Sequence, residues 1–123
     1  MCIDAMQFAE PYEAGLAECA RILAPGRTLV LTGWQADRLT DDAIPARIRH
    51  DVADALGAAG FLDVAVRSMT AWQHAEYAMW QDALASDVDD DAMRSMREEA
   101  SRVLPQRGRV QRLLVTGRAP GNP

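Results

Sequence analysis

The chain has 123 residues, a length that suits one domain with a single modest core. Its composition, 49% hydrophobic and 25% charged, excludes a disordered segment, and a net charge of −5 gives no basic footprint for nucleic acid. No apolar run approaches the roughly 20 residues a membrane helix needs, and the opening "MCIDAMQFAE" has neither the basic start nor the long apolar stretch of a signal peptide. Cys2 and Cys19 are the only cysteines, which predicts free thiols and a cytoplasmic location.

"MCI" is a short apolar segment, the tail of a strand. From residue 10 to residue 23 the apolar positions Tyr12, Leu16, Cys19, Ala20 and Leu23 recur on one face of a helix, with Pro11 in its first turn and Pro25-Gly26 as its stop. "TLVLT", residues 28–32, is almost continuously apolar and predicts a strand buried on both faces, as in a parallel sheet. "QADRLTDDA" reads as a polar loop. Ile48, Val52, Ala55, Leu56 and Ala59 predict a second helix over 45–59, closed by Gly60 as a left-handed cap with Phe61 packing back on Leu56. "FLDVAVR" alternates Leu62, Val64 and Val66 against Asp63, Ala65 and Arg67, a strand with one more polar face.

The alternation then stops. Residues 71–85 and 89–104 read as two successive helices, with Trp72, Ala75, Met79 and Ala83 on one stripe and Met93, Met96, Ala100 and Val103 on the other. "VQRLLVTGR", residues 110–118, is a last strand. Strands separated by single helices pair in parallel, whereas the last one, reached without a simple crossover, is expected to run antiparallel.

Several motifs can be weighed as sites. Asp87, Asp89, Asp91 and Glu98 occupy calcium-loop positions, but Ala92 stands where that loop needs glycine, and a helix N-terminus is the expected reading. His50 and His74 have no cysteine or second histidine at ligand spacing, so no metal site is expected. His74 retains interest only for its neighbours Trp72 and Tyr77. No G-x-S-x-G or P-loop pattern exists. The loop 4–10 follows a strand and precedes a helix, which places it at the carboxyl edge of an open α/β sheet, where ligands bind. Trp34 lies at that edge, one strand over.

The segment "CIDAMQFAEPYEAGLAECARILAPGRTLVLTGW" resembles the second half of class I S-adenosylmethionine-dependent methyltransferases of the small-molecule group. The specific part is the "E-x-x-R-x-L-x-P-G" pattern at Glu18, Arg21, Leu23, Pro25 and Gly26, with Arg27 replacing the usual second glycine. "ALGAAGFLDVAVR" and "RLLVTGRAP" match the family's sixth and closing strands at the level of pattern. The resemblance spans nearly all of residues 1–123. It implies an α/β fold: a partial Rossmann-like sheet of family strands four to seven, ordered fourth, fifth, seventh, sixth, with a helical-pair insertion at about 71–104 that covers substrate.

The same resemblance implies methyl transfer from S-adenosylmethionine to a small-molecule acceptor. Asp4, Ala5, Met6, Gln7 and Phe8 would flank the methionine end of the cofactor, and Trp34, Trp72, Tyr77 and Trp80 would line the acceptor pocket, with Met79 packed on the sheet. Family members carry a glycine-rich loop and a ribose-binding acid ahead of these elements. This chain has no G-x-G in a strand-to-helix turn, so it is expected to bind the cofactor weakly or not at all and to be inactive alone. The chain is also expected to self-associate through its exposed sheet edge. The competing expectation is a non-enzymatic interaction or dimerisation module, or a remnant.

Overall fold

The computed structural model describes residues 1–121. Strand β1 (Cys2–Ile3) leads through a 3-10 turn (Met6–Phe8) into helix α1 (Tyr12–Ile22). Strand β2 (Thr28–Ala36), a second 3-10 turn (Ala46–Ile48), helix α2 (Val52–Ala58) and strand β3 (Leu62–Ser68) follow. Helices α3 (Thr70–Ala85) and α4 (Asp91–Val103), a third 3-10 turn (Leu104–Gln106) and strand β4 (Val110–Arg118) complete the order.

Among the described residues the sheet has four strands in the order β1-β2-β4-β3. β1 pairs parallel with β2, while β4 runs antiparallel between β2 and β3. This is the spatial order and the closing antiparallel strand that the resemblance implied.

The pleat of the two central strands divides the core. Leu29 and Leu31 of β2 share a face with Leu113 and Val115 of β4, and that face buries Leu16 of α1 and Leu56 of α2. Gly117 lies on it too: a Cβ there would come within 3.1 Å of both Leu56 Cδ2 and Phe61 Cβ. The opposite pleat carries Thr32, Trp34 and Arg112, with Trp34 directly paired to Arg112. A second, smaller cluster of Ala36, Ile44, Ile48 and Val110 sits at the far end of β2 and packs on Trp34.

Two element boundaries differ from the sequence reading. β2 runs on to Ala36, four residues past the expected end, because β4 is long enough to pair with all of it: Gln35 meets Gln111 and Ala36 meets Val110. The expected helix over 45–59 is instead a 3-10 turn followed by α2. Asp51 separates them as an N-cap, its carboxylate accepting the Asp54 N–H at 3.0 Å, while the Gln35 side chain accepts the Val52 N–H at 2.9 Å. The end of α2 is as expected: Gly60 has φ +95, and the Phe61 and Gly60 N–H groups donate to the Leu56 and Gly57 carbonyls.

In β3 the alternation is broken by a bulge between Leu62 and Ala65, with Asp63 at φ +51, so Leu62 and Val66 stay exposed on an edge strand. β3 ends at Ser68, and the Gln73 side chain continues its ladder, donating to the Val110 carbonyl at 3.1 Å and accepting the Arg112 N–H at 3.3 Å. That pins the first turn of α3 to β4. α3 and α4 form a hairpin whose turn is held by Arg97, which donates to the carbonyls of Ser86 (3.1 Å) and Val88 (2.8 Å). Met79 is not on the sheet: it lies with Ala75 and Ala83 across an interhelical groove from Met93 and Met96. The acidic run resolves as a cap, with Asp90 accepting the Met93 N–H at 2.7 Å, and no metal-holding cluster occurs among the described residues.

Candidate functional site

β1 is only two residues long, and its carboxyl end turns sharply. Asp4 takes φ +52 while its N–H still donates to the Thr32 carbonyl at 3.1 Å, the last bond of the parallel ladder. The turn throws the carboxylate over β2, where the Thr32 hydroxyl donates to Oδ1 at 3.1 Å. Arg112 of β4 reaches the same carboxylate with both terminal nitrogens, Nη2 to Oδ2 at 2.8 Å and Nη1 to Oδ1. Such a forked pair fixes orientation as well as distance. Arg112 is 6% exposed, so the pair forms the floor of the site and not its rim.

Aromatic rings stack up on this floor. The Arg112 guanidinium carbon lies 5.4 Å from the Trp34 ring centre, within cation–π range. Tyr77 of α3 tilts against the other side of the cluster, 5.9 Å from Trp34. Glu76, one residue earlier on α3, brings a carboxylate to 3.9 Å from Arg112 Nε. Burial pushes the Glu76 carboxyl above its ordinary range; Arg112 pulls the other way and the Asp4 charge adds to the rise.

Above the floor is a cavity of about 280 Å³, lined by Asp4, Gln7, Trp34, Arg47, Glu76 and Trp80, with Glu99, Val103 and Gln106 of the helical pair and its trailing turn as a lid. This is near the lower limit for small-molecule sites. A wider cavity of about 450 Å³ lies on the other side of the 4–8 loop, lined by Phe8, Glu10, Tyr12, Glu13, Arg47 and His50. Gln7 and Arg47 belong to both. The Gln7 side-chain oxygen is buried and accepts no hydrogen bond.

The expected site residues are thus brought together in part. Asp4, Gln7, Trp34 and Trp80 converge on one cavity and Phe8 on its neighbour. Met6 is buried in the main core, and Ala5 lines neither cavity. Tyr77 is buried behind Trp34 and does not line the cavity; its hydroxyl has no hydrogen-bond partner. Trp72 is 42% exposed at the start of α3 and lines neither cavity.

Sequence reasoning missed Arg112, Glu76 and Arg47, since nothing in their local pattern sets them apart from surface charge. It also missed His50, which stacks on Tyr12 with ring centres 4.3 Å apart and planes 6° off parallel. Burial raises the Tyr12 hydroxyl to about 12.

The architecture is that of part of the class I S-adenosylmethionine-dependent methyltransferase fold. Three solved structures show the likeness. The phosphoethanolamine N-methyltransferase 2 of Haemonchus contortus in complex with S-adenosyl-L-methionine superposes with a TM-score of 0.69 at 13% identity, over 96% of this chain and 32% of that one. The same enzyme with phosphomonomethylethanolamine and S-adenosylhomocysteine gives 0.63 at 12% identity, over 98% and 32%. The [4+2]-cyclase SpnF gives 0.61 at 18% identity, over 98% and 48%. The chain therefore spans about a third to about half of the length of these proteins. No family model matches it, and no curated protein matches it. No helix among the described residues is long and apolar enough to cross a membrane.

Proposed function

We propose that the chain is the acceptor-side portion of an S-adenosylmethionine-dependent methyltransferase acting on a small molecule, in the cytoplasm and without a nucleic-acid partner. The helical pair at 71–104 is then a substrate-covering insertion in a single domain. The observation that carries this reading is the cavity at the carboxyl ends of β1 and β2, closed by that pair, with Gln7, whose side-chain oxygen has no hydrogen-bond partner, on the lining it shares with the wider cavity. A buried acceptor without a partner fits the ammonium of the cofactor's methionine end, so Gln7 and Phe8 would hold that end, with Asp4 steering the loop. Bound there, the cofactor supplies an electrophilic methyl group; the chain's own contribution is alignment of the acceptor against it. The adenosine end has no counterpart among the described residues, which supports weak cofactor binding and no activity by this chain alone.

Fold alone does not set the reaction: of the structures that share it, one is an N-methyltransferase and another a [4+2]-cyclase. The reading is tested by titrating the chain with S-adenosylhomocysteine and following backbone amide resonances. Shifts confined to residues 4–8 at millimolar ligand are expected. Unchanged amides at 4–8, or micromolar affinity, would overturn it. A second reading, a self-associating module, is favoured by the open outer edge of β1.

A further inference from the structure

The lining of the 280 Å³ cavity is rich in charge. Asp4, Glu76 and Glu99 line it on the acidic side and Arg47 on the basic side, with Arg112 beneath. Most of these charges are answered. Arg112 spends both terminal nitrogens on Asp4. Glu99 is held by Arg102, whose Nε donates at 3.1 Å. Arg47 is exposed and carries its guanidinium 5.8 Å over the ring of Phe8. Glu76 is the exception: its cationic neighbour within 4 Å, among the described residues, is Arg112 Nε at 3.9 Å, beyond hydrogen-bond reach. Arg112 Nε is itself buried with no hydrogen-bond partner.

The walls point the same way. Trp34 already attracts one cation, the Arg112 guanidinium below it. Trp80 lines the same cavity, with Glu76 one helical turn before it on α3. A carboxylate short of a partner, in a cavity that two indoles also line, is the chemistry that recognises an ammonium. With Asp4 and Glu99 answered by Arg112 and Arg102, the charges left on the lining are the Glu76 carboxylate and the Arg47 guanidinium, and the latter is drawn over the ring of Phe8. The volume is of the size that takes a small molecule.

We propose that the acceptor site takes a small organic cation, an amine or a quaternary ammonium, whose charged nitrogen lies between Trp34 and Trp80 against Glu76. The proposal rests on the reading of this cavity as an acceptor site and narrows it to one chemical class.

The test is a comparison of choline with 3,3-dimethylbutan-1-ol, which has the same shape and no charge, on the 123-residue chain. The three indole N–H resonances report where each probe binds. Choline is expected to move the Trp34 and Trp80 signals and leave Trp72 in place, with an affinity at least about tenfold tighter than that of the alcohol. Glu76→Gln is expected to bring the two affinities within about threefold of each other while leaving the alcohol's unchanged. Equal binding of the two probes by the unaltered chain would overturn the proposal and leave an apolar acceptor site standing. Absence of choline binding at tens of millimolar would overturn it as well. The cofactor titration reads residues 4–8 separately, so failure there is distinguishable from failure here.

Discussion

Arg112 and Asp4, 108 residues apart in the chain, form a forked ion pair that joins the last strand to the first across the carboxyl end of β2. The pair is asymmetric. The Arg112 side chain is 7% exposed and that of Asp4 is 38%, so the two partners do not suffer equally when left alone. Asp4→Ala strands a guanidinium in the core and should cost roughly 2–4 kcal/mol, below the value for a fully buried pair because water reaches Asp4. Arg112→Met leaves a carboxylate that water and the Thr32 hydroxyl still serve, and should cost less, roughly 1–2 kcal/mol. Urea denaturation of both variants checks the ranking. Equal midpoint shifts would mean that the pair is solvated and is not the floor of a site.

Gly15 sits inside α1, where alanine would normally stabilise a helix by about 1 kcal/mol. Here a Cβ would lie 2.5 Å from Ala9 Cβ and 2.9 Å from Met6 Sδ. The helix is therefore built to let the 4–10 loop lie against it. Gly15→Ala is expected to destabilise by roughly 1–3 kcal/mol despite the better propensity, and to shift the amide resonances of residues 5–9. A more stable variant with an unmoved loop would contradict the contact.

These two relationships mark the limit of what the sequence carried. The helix stop at Pro25-Gly26, the cap at Gly60 and the antiparallel last strand are local signals, each written within a few residues, and all three are found in the structure. The extension of β2 to Ala36 was hidden because Gln35 reads as loop; its side chain is used to cap α2. The break before α2 was hidden because Ile48 keeps the helical spacing even though it lies in a 3-10 turn. The floor of the site had no local signal. Arg112 alternates in a strand like any polar residue, and only pairing across the sheet brings it under Trp34.

Burial pushes both tyrosines up, Tyr12 to about 12. Each folded-state value lies above the ordinary phenol value of about 10, so their contribution to stability is complete below about pH 10 and is lost as pH rises toward 12. A spectrophotometric titration should show little tyrosinate below about pH 10.5, then a steep rise that coincides with loss of helical signal. A gradual rise centred near 10, with the fold intact, would show that the rings are wet.

Glu76 gives the same sign for a carboxyl group. Its folded-state value is raised, burial being the largest cause, so the group favours folding when protonated and disfavours it once ionised. Glu76→Gln should therefore melt higher than the unaltered chain at about pH 7, and the difference should shrink as pH falls through the carboxyl range near 4. A variant less stable at neutral pH would mean that attraction to Arg112 outweighs the burial.

The edge of the sheet carries the last expectation. β1 is the outermost strand of the order, paired to β2 on one side only, and its backbone N–H and C=O groups on the other side have no strand to meet among the described residues. Ile3 is 62% exposed and Ile22 of α1 is 65% exposed. An open apolar edge recruits another chain, and a net charge of −5 opposes this only modestly. The countervailing fact is brevity: two paired residues make a poor template, so the contact must also draw on the exposed flank of α1. The 123-residue chain is expected to form dimers or larger species at micromolar concentration, and Ile3→Lys, which puts a charge on the edge, should return it to monomer. Sedimentation velocity decides the matter. A compact monomer with no dependence on concentration would show that so short an edge attracts nothing, and would remove the support for a self-associating module.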